Sequence, residues 1–275
     1  DVDKKHIVHL HVPKTGGTWL NDTLQAYAPD HFLRLDNTHV PLDAAIHAQM
    51  PITPMQHVID GYENVRLVYD VDRITMTHPG RFKEAWKVAI VRNPFDLLVS
   101  YYNHNVAPES HFRDLRDFYT YNHERTTKCE LPVGWGFINL IHNIRTFDEF
   151  IKLFCDSSFS WTHVRFRDFL FYQMFYGNGK CGADFIFRQE RLHEAARAFL
   201  QFGGYIPEGY DIDGKRENVS HMKRRDYRSY YTDELRELVE KKCALELKLF
   251  NYNFDGIDDG HEDAILDGKA FRRNP

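Results

Sequence analysis

A glycine-containing turn, Pro13-Lys14-Thr15-Gly16-Gly17-Thr18, separates two apolar patterns of different period. The apolar run at residues 7–12 comes before the turn and is typical of a buried strand. After the turn, apolar side chains recur at helical spacing at Leu20, Leu24 and Tyr27. We therefore predict a strand, a tight turn and a helix.

The turn has the composition of an anion site. Adjacent glycines allow positive φ angles and a close approach of the backbone to a ligand. The first turn of the following helix directs unpaired N–H groups and a positive dipole end to the same place, where phosphate is the usual anion. Lys14 adds a positive charge, and Thr15 and Thr18 add hydroxyl donors. An ordinary strand-to-helix turn with two glycines is the alternative that these residues leave open.

A second strand-to-helix junction occurs near residue 92. Residues 87–91 are typical of a buried strand, Asn93 is a favourable helix cap, and Pro94 suits the first helical position. In a parallel sheet the carboxyl ends of the strands form the edge where ligands bind. We therefore expect Arg92 to lie near Lys14.

The two junctions resemble the donor site of sulfotransferases that use 3′-phosphoadenosine 5′-phosphosulfate (PAPS). Residues 13–18 resemble the 5′-phosphosulfate loop of that family, and residues 91–102 (VRNPFDLLVSYY) resemble its 3′-phosphate-binding segment. In that segment an arginine and a serine hold the 3′-phosphate, which implies Arg92 and Ser100 here. The phosphate loop of kinases and GTPases has its lysine after the glycines, whereas Lys14 precedes them, so those classes are disfavoured.

The resemblance covers about residues 6–251 and implies an α/β fold of the P-loop-like sulfotransferase type. In that fold a central, mainly parallel sheet is flanked by helices. The 275 residues, 43% of them hydrophobic, suffice for one large core. We expect a single sulfotransferase domain over residues 1–275, with an irregular excursion at about 105–145 and a C-terminal tail at about 251–275.

The remaining helices and strands are predicted from helix-capping residues and from the spacing of apolar side chains. Thr146 and Glu149 match a capping box, and residues 184–187 are typical of a strand. The helix that follows this strand should end near Gly203. We expect Thr232 to cap one last helix whose apolar positions are Leu235, Leu238, Val239, Leu245 and Leu249.

The resemblance also implies the donor chemistry. PAPS would be the co-substrate and 3′-phosphoadenosine 5′-phosphate (PAP) the product, with no metal required. Lys14 would hold a 5′-phosphate oxygen as the bond to sulfur breaks, which makes it a catalytic candidate too. A basic stretch similar to Lys223 and Arg224 folds over the nucleotide in the family, with a solvated charge run as the alternative. We interpret Arg188 and Glu190 as structural. The candidate donor-site residues are Lys14, Thr15, Gly16, Gly17, Thr18, Trp19, Arg92, Ser100, Lys223 and Arg224.

An acceptor hydroxyl needs a general base, and histidine has the pKa best suited to neutral pH. His78 ends an apparent strand that we expect beside residues 87–91, which would place it at the shared carboxyl edge. His39 lies in Thr-His-Val-Pro, which resembles the setting of the catalytic histidine in cytosolic members of the family. We favour His78 as the base and keep His39 as the alternative.

We expect sulfuryl transfer to a hydroxyl or amine of a small-molecule, natural-product acceptor, with O-sulfation of a carbohydrate as the alternative. The net charge of −5 argues against a surface made for nucleic acid or a long polyanion. No run of about 18 apolar residues occurs, so no transmembrane segment is expected. A nucleotide kinase and a non-catalytic nucleotide-binding module are the alternatives from other classes. Oligomeric state has no signal in the sequence.

The compartment is inferred from glycosylation and cysteine patterns. Asn21 matches a glycosylation pattern inside the predicted first helix, where a glycan would meet the nucleotide loop, and this favours a cytoplasmic chain. Four widely spaced cysteines without a metal-site pattern are expected to be reduced, partly buried thiols. A luminal Golgi domain that has lost its leader is the alternative.

Overall fold

The computed structural model describes residues 4–12, 14–33, 84–103, 107, 144–156, 170–171, 174, 182–212 and 225–258. Three strands in these ranges form one parallel sheet. They are β1 (Ile7–Leu10), β2 (Trp86–Val91) and β3 (Phe185–Arg188), in this spatial order. Helices lie between and after the strands, so the predicted α/β class with a parallel central sheet is confirmed.

The register of the sheet brings the ends of the strands together. Leu10 pairs with Ala89 across β1 and β2, and Val91 pairs with Arg188 across β2 and β3. Because all three strands run in the same direction, their carboxyl ends share one edge. The turn after β1 and the turn after β2 are therefore neighbours at that edge.

The helices complete the layers around the sheet. They are α1 (Gly17–Tyr27), α2 (Pro94–Tyr101), α3 (Phe147–Cys155), α4 (Leu192–Phe202), α5 (Asp233–Lys242) and α6 (Ala244–Leu249). Short 3₁₀ turns occur at Gln189–Arg191 and Tyr227–Tyr230, and a two-stranded hairpin follows α6 with β4 (Tyr252–Asn253) and β5 (Gly256–Ile257). No helix in the described part of the chain combines the length and the apolar character needed to cross a membrane.

Both faces of the sheet are buried, as expected for parallel strands. On one face Ile7, Val88 and Phe187 pack with α1 and α4. On the other face, Val8 and Val91 pack with α2 and with the chain around the hairpin. A further cluster joins α2, α3 and α5, and it contains Phe95, Leu98, Phe150, Ile151, Leu235 and Val239.

Most helix ends predicted from the sequence are confirmed. The Asn93 side chain accepts the N–H of Phe95 at 3.0 Å, and Pro94 is the first residue of α2. Thr146 and Glu149 form the predicted capping box at the start of α3. Gly203 follows the last residue of α4. These signals are correct because each cap depends on residues within one helical turn.

The prediction of one long helix after Thr232 is wrong. The helix ends at Lys242, Cys243 has non-helical angles (φ −100°, ψ 21°), and a second helix, α6, follows. In α6 the buried residue is Glu246, which is 1% exposed and accepts the N–H of Leu170 at 2.9 Å. The apolar side chains of Leu245 and Leu249 are 57% and 49% exposed.

Candidate active site

The Lys14 loop, defined as residues 14–18, has two residues in the left-handed region. Gly16 has φ 94° directly before α1, and Lys14, a non-glycine residue, has φ 61°. A methyl group on Gly16 would also lie 3.0 Å from a side-chain carbon of Leu192. The positive φ predicted for the glycines is confirmed at Gly16, whereas the left-handed conformation of Lys14 has no signal in the sequence.

Gly17 is required for a different reason, which is space. A methyl group on Gly17 would lie 2.4 Å from Cδ2 of His11 and 2.9 Å from Cε1 of His9. The two imidazole rings are 5.2 Å apart, and Nδ1 of His9 donates to Oδ1 of Asn21 in α1 at 2.7 Å. These histidines, to which the sequence analysis assigned no role, therefore support the loop. The sequence feature that could have predicted this role is the spacing of His9 and His11. Two residues apart in the predicted strand, they lie on the same face at the end of an otherwise apolar run.

The remaining residues of the turn differ in what they can offer a ligand. The Thr15 hydroxyl is fully buried and donates to the carbonyl oxygen of Val12 at 2.8 Å, so its single proton stabilises the loop. Thr18 is exposed at the start of α1. The Trp19 ring is half-buried and lies 6.0 Å from the ring of His193 on α4. Of these three side chains, Thr18 is the most exposed.

Arg92 lies directly against the Lys14 loop, which confirms the expected proximity of the two motifs. Its side chain is 4% exposed, and Nη1 donates to the backbone carbonyl oxygen of Lys14 at 2.7 Å. Nε and Nη2 both donate to Oδ2 of Asp96, at 2.9 and 2.8 Å. Because guanidinium has five N–H donors, these contacts leave two of them for a ligand.

Lys14 and Arg92 place two positive charges close together, with the carboxylates of Asp96 and Glu190 nearby. Partial burial and the nearby Arg92 guanidinium lower the pKa of Lys14. Burial raises the pKa of Asp96, and the adjacent Arg92 partly opposes this shift. Within the described ranges, Asp96 is the carboxylate that forms a salt bridge with Arg92, and Lys14 forms none. A bound anion would stabilise both cations.

Ser100 continues the face of α2 that carries Asp96. The two residues are four positions apart in the helix, so they are neighbours on its surface. Ser100 is half-buried, while the residues from Arg92 to Val99 are all buried. Ser100 is thus the partly open position at the end of this segment, which we call the Arg92 segment (residues 92–100).

Glu190 stabilises the Arg92 segment through hydrogen bonds. Oε1 of Glu190 accepts the backbone N–H of Asn93 at 3.0 Å, and Oε2 accepts the hydroxyl of Tyr252 at 2.7 Å. The Asn93 side chain donates to the carbonyl oxygen of Asn253 at 2.8 Å. Residues 251–258, expected in a C-terminal tail, therefore form part of the support of this site.

Arg188 has a similar structural role. Its Nη2 donates to the carbonyl oxygen of Phe250 at 2.5 Å, its guanidinium lies over the ring of Tyr252 at 5.3 Å, and the residue is 1% exposed. The structural interpretation of Arg188 and Glu190 agrees with these contacts. Both residues connect the end of β3 to the C-terminal hairpin.

Four predicted site residues lie outside the described ranges: His39, His78, Lys223 and Arg224. The structure therefore brings together the Lys14 loop and the Arg92 segment, and their assigned roles stay predictions. No group of three potential metal ligands occurs among the described residues.

Two cysteines are described, and both are free thiols as expected. Burial raises the pKa of Cys155 to about 11 and raises the pKa of Cys243 well above its ordinary value. Cys129 and Cys181 lie outside the described ranges.

Comparison with known proteins identifies the family. The model of the sulfotransferase family matches residues 2–253, which is most of the chain. No curated protein and no solved structure gives a match. The match includes both motifs from which the resemblance was drawn, and it extends through the hairpin strand β4 that supports Asn93. The chain therefore belongs to the sulfotransferase family and is a transferase of sulfuryl groups.

Proposed function

We propose that this protein transfers a sulfuryl group from PAPS to a hydroxyl or amine of a small-molecule acceptor. The observation that carries the proposal is the 2.7 Å hydrogen bond from Arg92 to the carbonyl oxygen of Lys14. It joins the two motifs that would bind opposite ends of one bisphosphorylated nucleotide. Family membership supports sulfuryl transfer, and the geometry supports a donor with two phosphate groups.

The 5′-phosphate would bind at the Lys14 loop. The left-handed turn at Gly16 leads into α1, whose first N–H groups have no partners within the helix. Thr18 adds an exposed hydroxyl, and the Lys14 ammonium adds a charge whose cost of burial an anion would offset. PAPS, when bound, supplies the activated sulfuryl group. Lys14 would donate to the phosphate oxygen that gains negative charge as the sulfur–oxygen bond breaks.

The 3′-phosphate would bind at the Arg92 segment. Arg92 has two N–H donors left after its contacts with Asp96 and Lys14, and Ser100 offers a half-buried hydroxyl on the same helix face as Asp96. Rigid donors that need no rearrangement bind an anion at least cost. The hydrogen bonds around Asn93 provide that rigidity.

On the acceptor side we propose a histidine base. His78 would accept the hydroxyl proton while the acceptor oxygen bonds to sulfur, with His39 as the second candidate. If His78→Ala and His39→Ala each keep nearly wild-type turnover and normal PAP binding, a histidine base at these positions is wrong. A loss of turnover with unchanged PAP affinity in one variant would identify the base.

A thermal-shift comparison of PAP with AMP, ATP and NAD tests the donor part of the proposal. We expect PAP to stabilise the protein more than the other three ligands at equal concentration. The reason is that only PAP has a 3′-phosphate in addition to its 5′-phosphate. Equal or greater stabilisation by ATP would favour a nucleotide kinase. Selective binding of PAP without turnover on any acceptor would favour a non-catalytic nucleotide-binding module.

The acceptor class is tested with radiolabelled PAPS and a mixed panel of phenols, alcohols, amines and oligosaccharides. The net charge of −5 supports a small acceptor over a polyanionic glycan, because an acidic surface repels a polyanion. Sulfation of oligosaccharides alone would overturn the small-molecule part and leave the donor chemistry intact.

A further inference from the structure

The geometry points to a second role for Arg92. We propose that Arg92 is a positioning residue for the Lys14 loop as well as a ligand of the 3′-phosphate. One guanidinium would thus set the shape of the 5′-phosphate site while it binds the other end of the nucleotide. This inference rests on the proposed PAPS site, and the experiment below separates the two.

The first support is the backbone of Lys14. Its φ of 61° is in the left-handed region, which is unfavourable for a residue with a side chain. The carbonyl oxygen of this same residue accepts the 2.7 Å hydrogen bond from Arg92 Nη1. That bond fixes the peptide plane between Lys14 and Thr15. It therefore stabilises the conformation that the residue would otherwise avoid.

The second support is the rigidity of Arg92 itself. It follows β2, the central strand of the described sheet, and its side chain is 4% exposed. Two hydrogen bonds to one oxygen of Asp96 fix the guanidinium plane. Because the planar group has donors in a fixed arrangement, it can bond to Asp96 and to Lys14 at once. A lysine at position 92 could pair with the carboxylate but has no second rigid branch directed to the loop.

The two roles of Arg92 predict different effects of its substitution on the binding of AMP and of PAP. A residue that only binds the 3′-phosphate has no effect on AMP, which lacks that group. A residue that also shapes the Lys14 loop affects AMP as well as PAP. Binding of AMP therefore isolates the positioning role.

The test is titration calorimetry of AMP and PAP against wild type, Arg92→Met and Arg92→Lys. Loss of the bond to Lys14 should weaken AMP binding about fivefold in both variants, the effect of one hydrogen bond. PAP binding should weaken more, because the direct contact is lost too. AMP affinity within about twofold of wild type, together with strongly reduced PAP affinity, would overturn the positioning role. If Arg92→Met does not fold, Arg92→Lys carries the test, because it keeps the charge beside Asp96.

Ser100→Ala is the matched control, since Ser100 lies on the Arg92 segment without a described bond to the Lys14 loop. It should weaken PAP and leave AMP unchanged. Wild-type protein that binds PAP no better than AMP would contradict the proposed PAPS site itself. That result is distinct from a failure of the positioning role.

A backbone test uses Lys14→Ala and Lys14→Gly, which both lack the ammonium. Glycine adopts φ 61° without strain and alanine does not. Adding Arg92→Lys should therefore weaken AMP binding more in the alanine background than in the glycine background. Equal losses in the two backgrounds would mean that Arg92 does not stabilise the left-handed conformation.

Discussion

The Lys14 loop and the Arg92 segment are neighbours at one edge of the sheet, yet they are held in place by different means. Backbone conformation and small residues shape the loop, with left-handed angles at Lys14 and Gly16 and no room for a methyl group at Gly17. The Arg92 segment is fixed by hydrogen bonds from distant residues. The backbone of Asn93 donates to Glu190, and the Tyr231 hydroxyl donates to the carbonyl oxygen of Phe95 at 2.9 Å.

This difference indicates how each half of the site can fail. Apart from the bond from Arg92, the conformation of the loop depends on its own backbone angles and on the lack of room around its glycines, so an added methyl group should damage it. The Arg92 segment depends on side chains from the 3₁₀ turn after β3 and from the C-terminal region, so removing one of those distant side chains should damage it. Four sets of substitutions test the comparison.

The largest effect is expected for Gly17→Ala. The new methyl group would overlap the His11 ring at 2.4 Å, and overpacking of this kind costs about 1–3 kcal/mol of unfolding free energy. We also expect at least a tenfold loss of PAP affinity, on the order of 1.4 kcal/mol, because the first turn of α1 must move. Thermal unfolding and PAP titration measure the two effects.

Two variants serve as controls for Gly17→Ala. Gly204 has φ 69° with nothing within 4 Å of an added methyl group, so Gly204→Ala should show conformational strain alone and unchanged PAP affinity. The double variant Gly17→Ala with His11→Ala should recover part of the lost stability. No recovery would mean that the His11 ring does not restrict this position.

Glu190→Ala should have the next largest effect. It removes the acceptor of the Asn93 N–H and of the Tyr252 hydroxyl, and Tyr252 is 4% exposed. We expect a loss of about 2 kcal/mol of unfolding free energy and weaker PAP binding through displacement of Arg92. Glu149→Ala, which removes the side-chain half of the capping box of α3, should lower stability by less than Glu190→Ala does and leave PAP affinity unchanged. Unchanged PAP affinity in Glu190→Ala would contradict the supporting role of Glu190.

Thr18→Ala and Ser100→Ala form a matched pair, one in each half of the site. Thr18 is exposed and Ser100 half-buried, so both variants should melt within about 2 °C of wild type. Each should lose about three- to tenfold in PAP affinity, the net effect of one hydrogen bond. AMP titration separates them, because only Thr18→Ala should weaken AMP binding. If only Ser100→Ala weakened AMP binding, the 5′-phosphate would be assigned to the Arg92 segment and the 3′-phosphate to the Lys14 loop.

The smallest effect on the ligand-free protein is expected for Lys14→Met. The pKa of Lys14 is lower in the folded protein than in the unfolded chain, so at pH values between the two the folded protein binds fewer protons. Stability consequently rises with pH there, and at neutral pH the charged lysine is destabilising. Lys14→Met should raise the melting temperature by about 2 °C. A lower melting temperature in the variant would show that Lys14 stabilises the fold.

The same shift predicts the pH dependence of binding. PAP affinity of the wild type should fall as pH rises through the lowered pKa of Lys14, because the ammonium is the form that attracts phosphate. Lys14→Met should lack this fall. Titrations of both proteins across the alkaline range measure it, and parallel profiles would exclude Lys14 as the responsible group.

The sequence was most informative where structure depends on neighbours in the chain. The strand-to-helix junctions, the Asn93 cap and the capping box at Thr146 are all predicted correctly. The last helix was predicted incorrectly, because the leucine pattern alone does not show the interruption at Cys243. The same pattern does not show that Glu246 is the buried residue of α6. The hydrogen bond from the Thr15 hydroxyl to the carbonyl oxygen of Val12 had no signal in the sequence.

Local sequence therefore determines that a glycine loop follows one strand and that a helix starting at Arg-Asn-Pro follows another. It can do so because helix caps and the spacing of apolar residues involve only a few neighbouring positions. Only the tertiary structure decides that Arg92 bonds to Lys14, 78 positions away, and that Asn93 bonds to Asn253, 160 positions away. Such bonds depend on the register of parallel strands and on the return of the chain to the same sheet edge. No local pattern encodes that return, since it results from packing of the whole core.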